Sequence, residues 1–341
     1  MNEPFLIMLP GDRRVPLVLD SPHSGTEYPD DFVPAVPIDE LRRAEDSYVD
    51  DLYAAGPSLG ATLIAARFPR SYIDPNRSLL DIDASLLDAP WPGPAMRSRK
   101  TELGIGLIWR VLDSGRPIYD RKLGVDEVKQ RIVRYHQPYQ RAVKKALDDA
   151  YAHFNAVYHL NLHSMPALSS QISEEGPGKA RPDFVLGDRD GSTCEAEFTA
   201  LVGEALRAMG YDVKVNDPYK GVELVRAFSD PRENRHSLQI EVNRRLYMDE
   251  RTRERTAGFE PLKADLTRLL EQVAAYVGER GSHACAPGHH HHHSDGRGHD
   301  HGHGHDHGHG HDHGHSHDHA RDPGHAHAPH HHDHAGHEPK P

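Results

Sequence analysis

Cysteine is nearly absent, with only Cys194 and Cys285 in 341 residues. Two thiols give no disulfide framework, so free thiols in a reducing, cytoplasmic setting are expected. Long apolar runs are also missing, and the longest stretches fall well short of a membrane span. The first residues, Met1-Asn-Glu-Pro, lack the basic segment and apolar run of a secretory signal. Positive charge is in deficit: 40 Lys and Arg stand against 52 Asp and Glu, a net charge of −12. No basic stripe interleaved with aromatics occurs, which argues against a nucleic-acid partner and for a small-molecule one.

Histidine is abundant, but unevenly so. Of 30 histidines, 24 lie among the 59 residues from His283 to the end, with Gly, Asp and Ala filling most of the rest. That segment holds 3 Lys and Arg and 8 Asp and Glu, so −5 of the −12 belongs to it. Without Leu, Ile, Val or aromatic residues it cannot bury enough apolar surface to offset chain entropy. Residues 283–341 are therefore expected to be a disordered tail, and residues 1–282 a folded body. Five histidines follow Gly288, then Gly-His-Asp-His alternation runs through His319, then a third cluster ends at His337. Imidazole binds Zn, Ni, Cu and Co, and Asp adds oxygen ligands. The interleaved Asp and Gly set this segment apart from a purification tag and suggest a store of extra divalent ions.

In the body, strand signals alternate with helical ones, the pattern of an α/β fold. Val15–Asp20, Ala61–Ala66, Val157–Leu162, Asp183–Gly187, Tyr211–Val215 and Ser237–Val242 read as strands. Ile38–Tyr53, Val125–Phe154 with a kink at Pro138, Cys194–Met209 closed by Gly210, and Pro261–Val277 read as helices. Ser85–Tyr119, rich in Pro, Gly and Trp, looks like an excursion able to cover a site.

Polar residues gather where strands end, the place where α/β sheets collect ligands. His23 and His163 each follow an apolar run, Arg70, Asn76 and Arg77 follow the second strand, and Glu241 lies in the last. A catalytic zinc takes three protein ligands and leaves a position open. It activates water, a carboxylate moves the proton, and a cation steadies the oxyanion. His23 and His163 offer two ligands, and Glu27, Glu45 or Asp46 the third. Glu241 suits the base and Arg70 the oxyanion. Cys194 lacks an activating partner, and neither Ser24 nor Ser164 sits in a Gly-x-Ser-x-Gly elbow, so a covalent nucleophile is not expected.

Ser21-Pro-His-Ser-Gly25, Arg70-Ser-Tyr-Ile-Asp-Pro-Asn-Arg77, Asn161-Leu-His-Ser-Met165 and Leu238-Gln-Ile-Glu-Val-Asn-Arg-Arg-Leu-Tyr247 together resemble the N-formylglutamate amidohydrolase family. The likeness extends to Arg181–Gly187 and Asn216–Gly221 and covers nearly all of residues 4–275. It implies a mixed β-sheet flanked by helices, like that of zinc carboxypeptidases and aspartoacylases. It also implies cleavage of N-formyl-L-glutamate to glutamate and formate, the end of histidine degradation. Carried over, His23 and His163 would be metal ligands, Glu241 the general base or acid and Arg70 the oxyanion partner. Asn76 and Arg77 would grip the substrate carboxylate, a task suited to a guanidinium fork.

Carboxypeptidases place a glutamate ligand three residues after the first histidine, where this chain has Thr26, and Glu27 is one place late. The formylglutamate family carries an acid in the following helix, which points to Asp46. Glutamate has two carboxylates, so a second cation is needed, and Arg226 is the candidate, with Arg110, Arg116 and Arg244 competing. His136, His153 and His159 read as helix-surface or core residues, and His236 is open. The alternatives to the deformylase are a metal-delivery protein with an inactive hydrolase-like body and an aspartoacylase-like deacylase of other N-acyl amino acids.

Overall fold

The computed structural model describes residues 3–173 and 175–284. The His-rich segment and Cys285 lie outside them, apart from positions 283 and 284 at the end of the last helix. The body is built on a seven-stranded sheet in the order β1-β3-β2-β4-β7-β5-β6. Its strands are β1 (Phe5–Met8), β2 (Leu17–Ser21), β3 (Thr62–Ala66), β4 (Val157–Met165), β5 (Phe184–Gly187), β6 (Val213–Val215) and β7 (Arg235–Asn243). β3, β2, β4 and β7 run parallel, while β1 and β5 pair antiparallel with β3 and β7. The mixed α/β class is as expected, and β1 is a strand the apolar pattern did not single out.

β2, β4 and β7 are covered on both faces, as parallel strands usually are. Their two faces differ because successive side chains alternate. Leu17, Leu19, Tyr158, Leu160, Leu162, Leu238, Ile240 and Val242 build one core with Phe198, Val202, Leu266 and Val273. These last come from the helices Ala196–Ala208 and Phe259–Ala284. The opposite face carries a polar row: Asp20, His159, Asn161, His163, Ser237, Gln239 and Glu241, all buried. Burying such groups costs free energy unless each is hydrogen-bonded. Beside the row, Tyr139, Val143 and Leu147 of the helix Gln137–Phe154 pack with Val18, Ile64 and Val157.

Several elements depart from the sequence pattern. His163 lies within β4, not past its end. The long helix breaks into Val125–Arg131, a π-turn at Ile132–His136, and Gln137–Phe154. Pro138, which lacks an N–H and crowds the preceding turn, explains the change of pitch. The expected helix over 38–53 is only two short pieces, Ile38–Leu41 and Val49–Leu52, with a 3₁₀ turn at Arg42–Ala44. Between them Tyr48 takes a left-handed φ of 67°, and the interruption places Asp46 against the His23 loop, where its N–H donates to the His23 carbonyl at 2.9 Å.

Candidate active site

Two glycines let the loops of the site close. A Cβ on Gly25 would stand 2.3 Å from the Phe68 carbonyl oxygen. The His23 loop therefore lies directly on the chain leading from β3 to Arg70. Gly187 likewise admits the backbone of Lys220 and Gly221, since its Cβ would lie 2.7 Å from both. Around these contacts lies a cavity of about 420 Å³, lined by His23, His163, Arg70, Arg77, Gln239 and Glu241 among others. Ile105, Trp109 and Leu112 of the Pro- and Gly-rich excursion form part of its wall, as expected.

His23, Asp46 and His163 converge there, and all three are buried. The two Nδ1 atoms are 3.0 Å apart, and Asp46 Oδ2 lies 3.1 Å from His163 Nδ1 and 3.4 Å from His23 Nδ1. The rings' other nitrogens set the protonation. His23 Nε2 donates to Asp74 Oδ1 at 2.7 Å. His163 Nε2 lies 2.8 Å from Asn161 Oδ1, which accepts its N–H in the tautomer that frees Nδ1, and 3.0 Å from Asn76 Nδ2. The Asn161 amide is oriented by its own donation to Asp20 at 2.8 Å. Both Nδ1 lone pairs and a carboxylate oxygen then face one point, an arrangement that calls for a cation. Around a tetrahedral metal with bonds of about 2.0–2.1 Å, ligand atoms stand about 3.3–3.4 Å apart, so the triangle fits. Hydrogen-bonded partners behind each imidazole are the usual support of such ligands.

Neither rival for the third position takes part. Glu27 pairs with Arg67 at 2.6 Å, and Glu45 accepts from Tyr28 at 2.9 Å. Asp46 is further held by Arg244, whose Nη2 donates to Oδ1 at 2.9 Å. Burial alone would raise the Asp46 carboxyl, but its close contacts with His163 and His23 and the charge of Arg70 hold it well below the usual carboxylate range. Burial depresses His163 to about 4 against the pull of Asp46, so its imidazole is neutral at pH 7 and able to ligate.

Glu241 faces His163 across the β4–β7 ladder. Burial, and then the charge of Asp46, push its carboxyl up to about 8, against the pull of Arg70, Arg181 and Arg244. Gln239 donates to Glu241 Oε1 at 2.9 Å, while its own buried Oε1 has no hydrogen bond among the described residues. Arg70 donates twice to Asp74 Oδ2 and lies over the Trp109 ring, 4.8 Å from its centre. Arg77 is held by the carbonyls of Ile105 and Asn76, each 3.0 Å away. Asn76 is fixed on both sides, giving a hydrogen bond to Asn161 and taking one from the Leu224 N–H.

Arg226 is the expectation the structure corrects. It is exposed, doubly bonded to Glu223 three residues before it, and not part of the cavity wall. The short helix Glu223–Ala227 turns it outward while burying Leu224 and Val225. Arg110 and Arg116 pair with Asp83 and Glu40. A cation of the cavity wall that the sequence reading did not single out is Arg181, which is buried. His236 stacks on Tyr158, on the sheet face opposite Glu241. His136 is buried and bonds to the Arg77 carbonyl, whereas His153 is exposed. The Cys194 thiol is buried, which pushes its pKa up and leaves it inert.

A profile of the N-formylglutamate amidohydrolase family matches residues 15–248. The chain belongs to that family. Among amidohydrolases of known structure, it is 52% identical to N-formylglutamate amidohydrolase from Ralstonia eutropha JMP134. The likeness covers 82% of this chain and all of that one, with a TM-score of 0.78. It is 29% identical over 276 residues to the N-formylglutamate deformylase of Pseudomonas putida, covering 78% of this chain and 95% of the relative. The Pseudomonas aeruginosa deformylase is 28% identical over 277 residues, covering 78% and 96%. Amide hydrolysis is thus the chemistry that this site has to perform, and among the described residues no helix is long and apolar enough to cross a membrane.

Proposed function

We propose that the chain hydrolyses N-formyl-L-glutamate to L-glutamate and formate, with zinc held by His23, Asp46 and His163. The observation that carries this reading is the buried triangle of lone pairs beside Glu241 in a cavity walled by arginines. A divalent metal there supplies Lewis-acid activation of water and of the formyl carbonyl. Glu241, as the carboxylate, takes a proton from the attacking water and returns it to the departing nitrogen. Gln239 Oε1 accepts the N–H of the scissile amide, which turns the nitrogen lone pair towards Glu241. Arg70 donates from Nη1 to the oxygen that becomes negative, and Asn76 and Arg77 bind the carboxylate beside the formamide.

Residues 283–341 form a separate store of divalent ions that can feed the site when metal is scarce, a role suggested by their density of imidazole and Asp. The free thiol of Cys194 suits the cytoplasm. Release of the free amino acid tests the function, with N-acetylaspartate and N-acetylglutamate as comparators to N-formylglutamate. Release from N-formylglutamate in preference to both is expected. Preference for an acetylated substrate would make the chain a deacylase, and zinc binding without turnover would make it a metal carrier.

A further inference from the structure

We propose that Arg181 holds the second, distal carboxylate of the substrate and so selects dicarboxylic N-acyl amino acids. This rests on the deformylase reading above and names the residue that sets its specificity.

An N-acyl glutamate brings two full negative charges into the cavity, and a third develops on the carbonyl oxygen in the transition state. Three arginines of the wall each keep a terminal nitrogen free of hydrogen bonds among the described residues. Arg70 commits Nε and Nη2 to Asp74, leaving Nη1 3.7 Å from Asp46, beyond hydrogen-bond reach. Arg77 commits Nε and Nη1 to carbonyls, leaving Nη2. Arg181 commits Nε and Nη2 to Glu175 and Ser173, leaving Nη1.

Three further cations of the wall fit less well. Arg244 spends all three nitrogens, on Ser164, the Arg43 carbonyl and Asp46. Lys220 is exposed and paired with Asp190 at 2.9 Å, and Arg43 is exposed. Arg181 is also preorganised. It is buried, braced on Glu175 at 2.8 Å, and stacked on Tyr219 with its guanidinium 5.0 Å from the ring centre. A guanidinium so fixed loses little freedom on meeting a carboxylate. Arg181 and Glu241 line the same cavity.

The test compares N-formyl-L-glutamate with the isosteric N-formyl-L-glutamine, whose side chain is uncharged, using metal-loaded full-length enzyme. The wild type should favour glutamate, and Arg181→Met should shrink the ratio of kcat/KM by about 10- to 150-fold, the worth of one charge-assisted hydrogen bond. The loss should appear in KM more than in kcat. Arg181→Lys, which keeps the charge without the fork, should recover part of the ratio and guards against a folding defect in the Met variant. Equal losses on both substrates, or an unchanged ratio, would overturn the assignment of Arg181. Failure of the wild type to release formate from either compound would instead overturn the deformylase reading, and the proposal with it.

Discussion

Glu241 combines two demands that oppose each other. As a base it must be ionised, yet burial and Asp46 raise its pKa to about 8 in the metal-free protein. A dication at the triangle relieves this by stabilising the carboxylate. Glu241→Gln should therefore lower turnover by about 10²- to 10⁴-fold while one metal ion is still bound to the body. The same variant has a readout without metal. A carboxyl whose pKa is higher folded than unfolded contributes stability below the unfolded value of 4.5, and loses it as pH rises towards 8. His163, depressed to about 4, has the opposite effect, but only below its unfolded value of 6.5. Between pH 6.5 and 8, metal-free protein should thus lose on the order of 1–2 kcal/mol, and Glu241→Gln should flatten that slope in chemical denaturation. A parallel slope in both proteins would remove Glu241 as its source. Arg77→Ala should raise KM for N-formylglutamate by about 10- to 150-fold, and unchanged kinetics would take Arg77 out of the site.

At the level of elements, the polar row on the sheet acts as a rigid base for His163. Asp20 accepts from Asn161 at 2.8 Å, His159 at 2.7 Å and Tyr139 at 2.9 Å, and His159 continues to Ser237 at 2.7 Å. This chain links β2, β4, β7 and the helix Gln137–Phe154, and Asn161 passes its orientation on to His163. Partners one step behind a ligand are typically worth about 10- to 100-fold in metal affinity. Asp20→Asn should weaken zinc binding by that order in competition with a chelator. If its thermal stability fell with zinc affinity intact, the row would be purely structural. The interrupted helix over 38–52 is equally specific to the site. A continuous helix would commit the Asp46 N–H to its own ladder, whereas the break gives that group to the His23 carbonyl.

For the whole molecule, the catalytic unit and the histidine-rich segment obey different physics. The described residues form one compact unit around the sheet, whereas the histidine-rich segment has the composition of a chain without a core. Deleting 289–341 should leave metal-saturated kcat and thermal stability almost unchanged while removing most of the total zinc capacity at pH 7.5. At pH 5.5 protonation of imidazoles should erase that difference. Equilibrium dialysis of both proteins checks it, and equal stoichiometry at pH 7.5 would end the idea of a metal store.

Strand periodicity and the punctuation of Gly and Pro were enough to read the α/β class and five of the seven strands to within two residues at either end. They also singled out His23, His163, Arg70, Arg77 and Glu241, because reactive residue types stand out within or just after apolar runs. Tertiary structure decided what periodicity cannot encode. Asp46, rather than Glu27 or Glu45, lies against both histidines because a helix break and Arg244 fix it. Arg226 is left out of the cavity wall, which Arg181 joins, because a short helix turns Arg226 to solvent. The sequence determines which side chains exist and which face of an element they share. Which carboxylate meets a histidine 117 residues away, as Asp46 meets His163, depends on loop closures that only the packed chain makes.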